Sequence, residues 1–193
     1  MSGRSPALPV GKLPAELLAK LLGRHTARDP SVIIGPRVGC DCAVVRVGER
    51  LLVFKSDPIT FATEEIAYYL VRVNANELAT TGAQPRWLLV TILLPEHKTP
   101  AKSVQHIARE IDGACREIGA VVIGGHTEIT HGLNRPILAG TLVGEVEPGR
   151  LVTPRGACPG DSLLLTKGVP IEATAILARE FPERLAGALG GGA

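Results

Sequence analysis

The chain has 193 residues, 45% hydrophobic and 21% charged, which suits one complete globular domain and part of a second and excludes a disordered linker. Its formal net charge is only +2 and no Lys/Arg run exceeds two residues, so no extended nucleic-acid or membrane surface is expected. Aromatics make up 3%, so the core must be built from Val, Ile, Leu and Ala.

Residues 10–24 read as a short amphipathic helix, with Leu17, Leu18, Leu21 and Leu22 on one stripe and Pro14 in its first turn. Two β-rich runs follow, 43–47 and 51–55, joined by Gly48-Glu49-Arg50 as a hairpin turn. From Thr63 the pattern turns helical: Thr63 can cap, Glu64 and Glu65 fit the first turn, and Gly82 closes the run. Residues 87–94 are almost wholly apolar, as in a strand buried on both faces. Pro100 to about Ile118 is a second amphipathic helix, with Val104, Ile107, Ala108, Ile111 and Cys115 on one face. Strands are expected at 120–123 and 136–146. Pro148-Gly149 and the stretch Pro154 to Asp161 break the pattern and read as a domain boundary. Beyond it come a strand, Ser162 to Thr166, and a helix, Ile171 to Phe181, too little to bury a core. The expected division is therefore 1–150 and 151–193, the second part being the beginning of a longer domain.

This order gives an α+β fold, a mixed sheet with helices on one face. The apolar strands at 87–94 and 136–146 cannot leave the second face in water, so a homodimer is expected. The start of the chain lacks the charged-then-apolar layout of a signal peptide, and no apolar run reaches the roughly 18 residues of a membrane span. A cytoplasmic location, without membrane or nucleic-acid partners, is the expectation. Cys40 and Cys42 have C-x-C spacing, but Cys115 and Cys158 are distant and in unlike contexts; reduced, buried thiols are expected rather than a zinc site.

Four short segments concentrate acids, amides and glycines beside apolar runs: Gly39 to Ala43, Ser56-Asp57-Pro58, Asn74-Ala75-Asn76-Glu77 and Gly124-Gly125-His126-Thr127-Glu128. An acid in such a place costs stability unless it is hydrogen-bonded or bound to a cation. Hard oxygen ligands on separate segments suit Mg²⁺, which is commonly held by one or two carboxylates plus phosphates. Glycines after a strand let backbone N–H groups approach phosphate oxygens. Each segment also has a plainer reading. Asp41 can cap a turn, Asp57 before Pro58 can start one, Glu77 can be a solvated helix residue, Gly124-Gly125 can be a tight turn, and His126 can be structural. On helical geometry Asn74, Glu77 and Thr81 share a face, while Asn76 points nearly opposite. The sequence contains neither a G-x-x-x-x-G-K-[S/T] loop nor a G-x-G-x-x-G fingerprint. From the residues alone the site reaches "acid-rich, glycine-flanked, Mg²⁺ and phosphate" and stops there.

In series, these segments resemble a known family. Val38-Gly39-Cys40-Asp41-Cys42-Ala43-Val44-Val45 resembles its G-D-D-A-A-V-V opening, and Ser56-Asp57-Pro58-Ile59-Thr60 resembles its T/S-D strand end. Val73 through Pro85 resembles its V-N-x-N-D-L-A-x-M-G-A-x-P helix, and Ile123 through Glu128 its G-G-[D/H]-[T/S] turn. The family is the aminoimidazole ribonucleotide synthetase (PurM-like) superfamily, which includes selenophosphate synthetase, thiamine monophosphate kinase and the hydrogenase-maturation protein HypE. The stretches Pro159-Gly160-Asp161, Leu165 to Gly168 and Ile171 to Ala178 look most like HypE-related proteins.

The resemblance implies a domain that binds ATP with Mg²⁺ and pairs its sheet with that of a second subunit in a β-barrel dimer. It implies Asp41, Asp57 and Glu77 as metal and phosphate carboxylates, with Asn76, Gly124, Gly125, His126 and Thr127 around the nucleotide. Activity would be ATP-dependent activation or phosphorylation of a substrate oxygen. The alternatives are a phosphotransferase like thiamine monophosphate kinase, or a dimerisation or nucleotide-sensing module without turnover. Three positions depart from the pattern: Cys40 replaces the first acid, Glu77 stands for Asp, and His126 stands where kinase-like members have Asp. Cys or His in place of a carboxylate weakens a Mg²⁺ site. The chain ends in Gly-Gly-Gly-Ala without the C-terminal cysteine of the HypE reaction, and catalysis by this chain alone is not expected.

Overall fold

Alternating apolar residues that can face one layer of helices dictate the main architecture, an α+β fold seen in a computed structural model that describes residues 7–25, 28–60, 64–165 and 167–190. Two units are present, Met1–Pro154 and Arg155–Ala193. The first contains α1 (Ala15–Leu22), β1 (Val32–Ile34), β2 (Cys42–Val47), β3 (Arg50–Ile59), α2 (Ile66–Ala79), β4 (Gln84–Pro95), α3 (Ala101–Glu117), β5 (Val121–Thr130) and β6 (Ile137–Val146). Its six strands form one sheet in the order β1-β2-β3-β6-β4-β5. Every neighbouring pair is antiparallel except β4 and β5, which run parallel and are joined through α3. A parallel pair needs such a crossover, whereas β2 and β3 need only the turn at Gly48-Glu49.

One face of the sheet carries the core. Leu51 and Val53 of β3, Leu88, Val90, Ile92 and Leu94 of β4, and Leu138, Leu142 and Val146 of β6 are all buried. Against them α2 turns Ile66, Ala67, Leu70, Val71, Asn74, Ala75 and Leu78, the stripe that 3.6-residue periodicity produces. Each fully buried leucine here contributes about 1.5–3 kcal/mol. Helix α3 adds Ile107, Ile111, Ala114 and Cys115. An ion pair between Arg72 and Glu117, with the Arg72 guanidinium also over the Tyr68 ring, links the two helices. Alternation sends Leu52, Phe54, Leu89 and Leu93 to the other face, where they stay half-buried or exposed.

Several expectations change on folding. Helix α1 is shorter than 10–24, is preceded by Pro14 rather than containing it, and buries no residue. Thr63 lies outside the described residues, and Glu65, in a left-handed conformation, precedes α2. The strand expected to stop at 123 runs on to Thr130, so Gly124-Gly125 is not a turn. Pairing with β4 continues straight through it, with one irregularity opposite Leu88/Leu89. The first unit extends to Pro154, because the Val152 N–H donates to the Thr81 carbonyl at 2.9 Å and Leu151 packs on the core.

In the second unit, α4 (Ile171–Glu180) forms where the helix from Ile171 to Phe181 was expected, and a further helix, α5 (Pro182–Leu189), opens at Pro182. The strand expected at Ser162–Thr166 is not present among its described residues. A strand needs a hydrogen-bonding neighbour, and this unit offers none; Leu163 and Leu164 are fully exposed. Asp161 instead ties a turn, its carboxylate accepting from the Cys158 N–H at 2.8 Å. No described helix is long and apolar enough to cross a membrane.

Candidate functional site

The centre of the acidic site is a residue that the sequence reading passed over, Lys55. It follows Leu51 and Val53 on the buried phase of β3 and is itself 4% exposed. A lysine there must be paired, because an isolated buried ammonium costs several kcal/mol. It is paired twice, with Glu77 of α2 and with Asp57 two residues on along its own strand, at 3.4 Å. Asp41, just before β2, adds a third negative charge that acts on the same ammonium. Burial pushes the Lys55 pKa down, but the hydrogen bond and charge of Glu77, then Asp57 and Asp41, outweigh it and hold the ammonium above its ordinary value.

Strand β3, helix α2 and the segment leading into β2 thus bring Asp57, Glu77 and Asp41 near one ammonium. Pairing of Cys42 with Lys55 in the β2–β3 ladder sets Asp41 beside the cluster. The end of α2 is fixed at Glu77, whose carbonyl accepts from the Thr80 hydroxyl at 2.6 Å and from the Cys42 thiol at 3.6 Å. The two carboxylates of the ion pairs stay about one-third exposed, open to a ligand. Asp41, Cys40, Glu77, Thr80 and Thr81 line a cleft of about 240 Å³. That is below the roughly 300–1,000 Å³ of ordinary small-molecule sites, room for part of a nucleotide rather than all of it. A larger cleft, about 460 Å³, lies at the starts of β3 and β4, but its Arg50 and Arg86 are spent on Glu145, at 2.7 and 3.2 Å.

Asp41, Asp57 and Glu77, expected as metal and phosphate carboxylates, lie around an ammonium rather than around one another. Lys55 stands between two of them, and among the described residues no group of three or more His, Cys, Asp or Glu is arranged to hold a metal by itself. Asn76 is exposed while Asn74 is fully buried, as the helical spacing requires. The Asn74 amide donates to the Leu70 carbonyl at 2.8 Å, and its Oδ1 has no partner among the described residues.

The glycine segment lies elsewhere. Asp57 pairs with Gly140, Gly140 with Val90, and Val90 with Gly125, one row across four strands. Three strand spacings place Gly125 about 14 Å from Asp57. Alternation puts Thr127 on the face of Asp57, whereas Gly124 and His126 face the other way, where His126 pairs with Glu128 at 3.0 Å. This chain's own fold therefore gathers Asp41, Asp57 and Glu77, but leaves Gly124, Gly125, His126 and Thr127 on the far edge strand.

Residues 39–146, which hold both groups, match the family model of the AIR synthase related protein, N-terminal domain. The chain belongs to the AIR synthase related protein family. Among relatives, a selenide, water dikinase of Geobacter metallireducens is 32% identical over 84% of this chain and 48% of its own length. The carbamoyl dehydratase HypE of Cupriavidus necator is 31% identical over 63% of this chain and 35% of its own. The solved structure of AaThiL complexed with AMPPCP and TMP shares the fold, with a TM-score of 0.60 and 24% identity over 76% of this chain and 45% of that one. The chain spans about half the length of the curated relatives it matches.

The four cysteines are free but not uniformly buried: in the AIR synthase related domain Cys42 and Cys115 are buried and Cys40 is partly so, while Cys158, in the second unit, is exposed. Desolvation drives the Cys42 thiol up to about 11, the Lys55 charge offsetting only part of it; burial, then the charge of Asp112, do the same to Cys115. Both remain neutral thiols at physiological pH.

Proposed function

We propose that this chain is the ATP-binding, dimer-forming part of an ATP-dependent enzyme of the AIR synthase and HypE type. The observation that carries the reading is the pairing of Asp57 and Glu77, from β3 and α2, with the buried ammonium of Lys55, on which the charge of Asp41 also acts. A structural ion pair needs one carboxylate; three, two of them partly open to solvent, make a site with negative charge to spare. Their donor set fits Mg²⁺, which takes one or two carboxylates and completes its shell with phosphate oxygens and water. Asp57 and Asp41 would hold the ion, Glu77 being engaged by Lys55. The bound ion would neutralise charge on the phosphate oxygens. Lys55, paired with both, keeps Asp57 and Glu77 apart and oriented before any ligand arrives, and Asp41 and Glu77 face the 240 Å³ cleft.

The homodimer belongs to the same proposal. The second sheet face carries Leu52, Phe54, Leu89 and Leu93, and β5 leaves Val121, Ile123 and Ile129 each more than half exposed at an unpaired edge. Such an edge with such a face is unstable in water unless another surface covers it. A second copy pairing sheet on sheet would cover both.

Calorimetric titration with ATP, with and without MgCl₂, tests the reading on the wild type and on Asp57→Asn. The expected result is magnesium-dependent binding, weakened tenfold or more in Asp57→Asn. Absence of ATP binding by the wild type in magnesium overturns it.

A further inference from the structure

We propose that Lys55 serves as a resident cation of the phosphate site, so that each chain takes a single divalent ion there. This rests on the nucleotide reading above. Asp57 and Glu77 pair with Lys55, and Asp41 lines the same cleft as Glu77; three negative charges against one positive leave two in the site without nucleotide, which one divalent ion balances. Cys40 and Cys42 flank Asp41 where further acids would raise the charge; Cys42 is buried, and its Sγ donates to the Glu77 carbonyl. A lysine at this point also occupies space: its ammonium contacts Glu77 and lies 3.4 Å from Asp57, so a second metal cannot bridge those two carboxylates without displacing it.

The opposing reading makes Lys55 a structural tie between β3 and α2. A tie and a resident cation both lose stability when Lys55 is replaced, but only a resident cation sets how many ions bind and how tightly. Removing one positive charge from contact with two carboxylates must strengthen their hold on a divalent ion, since charges this close interact strongly even in a partly wet site.

MnCl₂ titrations of the full chain, read by calorimetry and by the Mn²⁺ paramagnetic signal, separate the two. Without nucleotide, Lys55→Met and Lys55→Gln are expected to bind Mn²⁺ at least tenfold more tightly than wild type, while Lys55→Arg stays at the wild-type value. Under the same conditions the wild type is expected to bind one Mn²⁺ per chain. Equal Mn²⁺ affinity in wild type and in a folded neutral variant overturns the role of Lys55. Two or more Mn²⁺ per wild-type chain without nucleotide overturn it as well, and need no variant to fold. Failure of the wild type to bind ATP at all defeats the nucleotide reading instead, and is distinguishable from both.

Discussion

A thiol buried beside an ammonium and a thiol buried near a carboxylate have here come to the same value, about 11, against an ordinary 9.0. For Cys42 and Cys115 the folded-state value is the raised one. The stability they contribute is therefore complete below pH 9 and is lost as pH rises from 9 through 11. Two units on each thiol correspond to roughly 2–3 kcal/mol per residue. Urea unfolding at pH 8 and at pH 10.5 should show a large alkaline loss in the wild type. Cys115→Ala, though about 1 kcal/mol less stable at pH 8, should lose distinctly less on going to pH 10.5; parallel losses in the two proteins would contradict the account. Lys55 is the residue whose signal was present and unused. The alternation Leu51, Val53, Lys55 puts a charge on the buried phase of a strand, which demands a buried counter-charge. The run 51–55 already contains that alternation. Asp57 and Glu77 were legible as acids, but what joins them is a contact between residues 22 positions apart in sequence, which no local pattern displays.

Strand β5 shows why an element can be read with the right start and the wrong end. Two glycines look like a stop because glycine is entropically poor in strands. Here the close approach of a neighbouring backbone requires one of them: a Cβ at Gly125, where φ is +150°, would lie 1.8 Å from the Val90 carbonyl oxygen. The pairing with β4 is what the residue serves, and that pairing is remote in sequence. Gly125→Ala should accordingly cost about 3 kcal/mol or more and release the edge strand. The converse holds in α3, where Gly113 has open space around its Cβ position. Gly113→Ala should stabilise by up to about 1 kcal/mol, through helix propensity alone. Thermal melts of the two variants should move in opposite directions, and hydrogen exchange should show lost protection confined to β4 and β5 in the first. A Gly125→Ala protein melting with the wild type would refute the close-packed geometry. The α2 and α3 helices, by contrast, were readable within a few residues, because their apolar spacing is a property of the segment itself.

At the scale of the molecule, the sheet has one face committed to helices and one that is not. The apolar count of β4 and β6 announced this in the sequence, since a one-sided sheet would alternate strictly and 87–94 does not. Leu89 is the sharpest point of it: on β4, one strand from the free edge, directed to the uncovered face and 42% exposed. In a monomer, Leu89→Arg would be a surface change worth a few tenths of a kcal/mol. In a dimer that closes over this face, it places one guanidinium per chain in an apolar interface without a counter-charge, and an unpaired buried charge costs several kcal/mol. Sedimentation velocity at micromolar concentration should therefore give a dimer for the wild type and a folded monomer for Leu89→Arg. Asp57→Asn, on the opposite face, should leave the assembly dimeric. A monodisperse wild-type monomer would sink the pairing; a Leu89→Arg protein that stays dimeric would move the interface away from this face, and the acidic site would then have to be judged on one chain's residues alone.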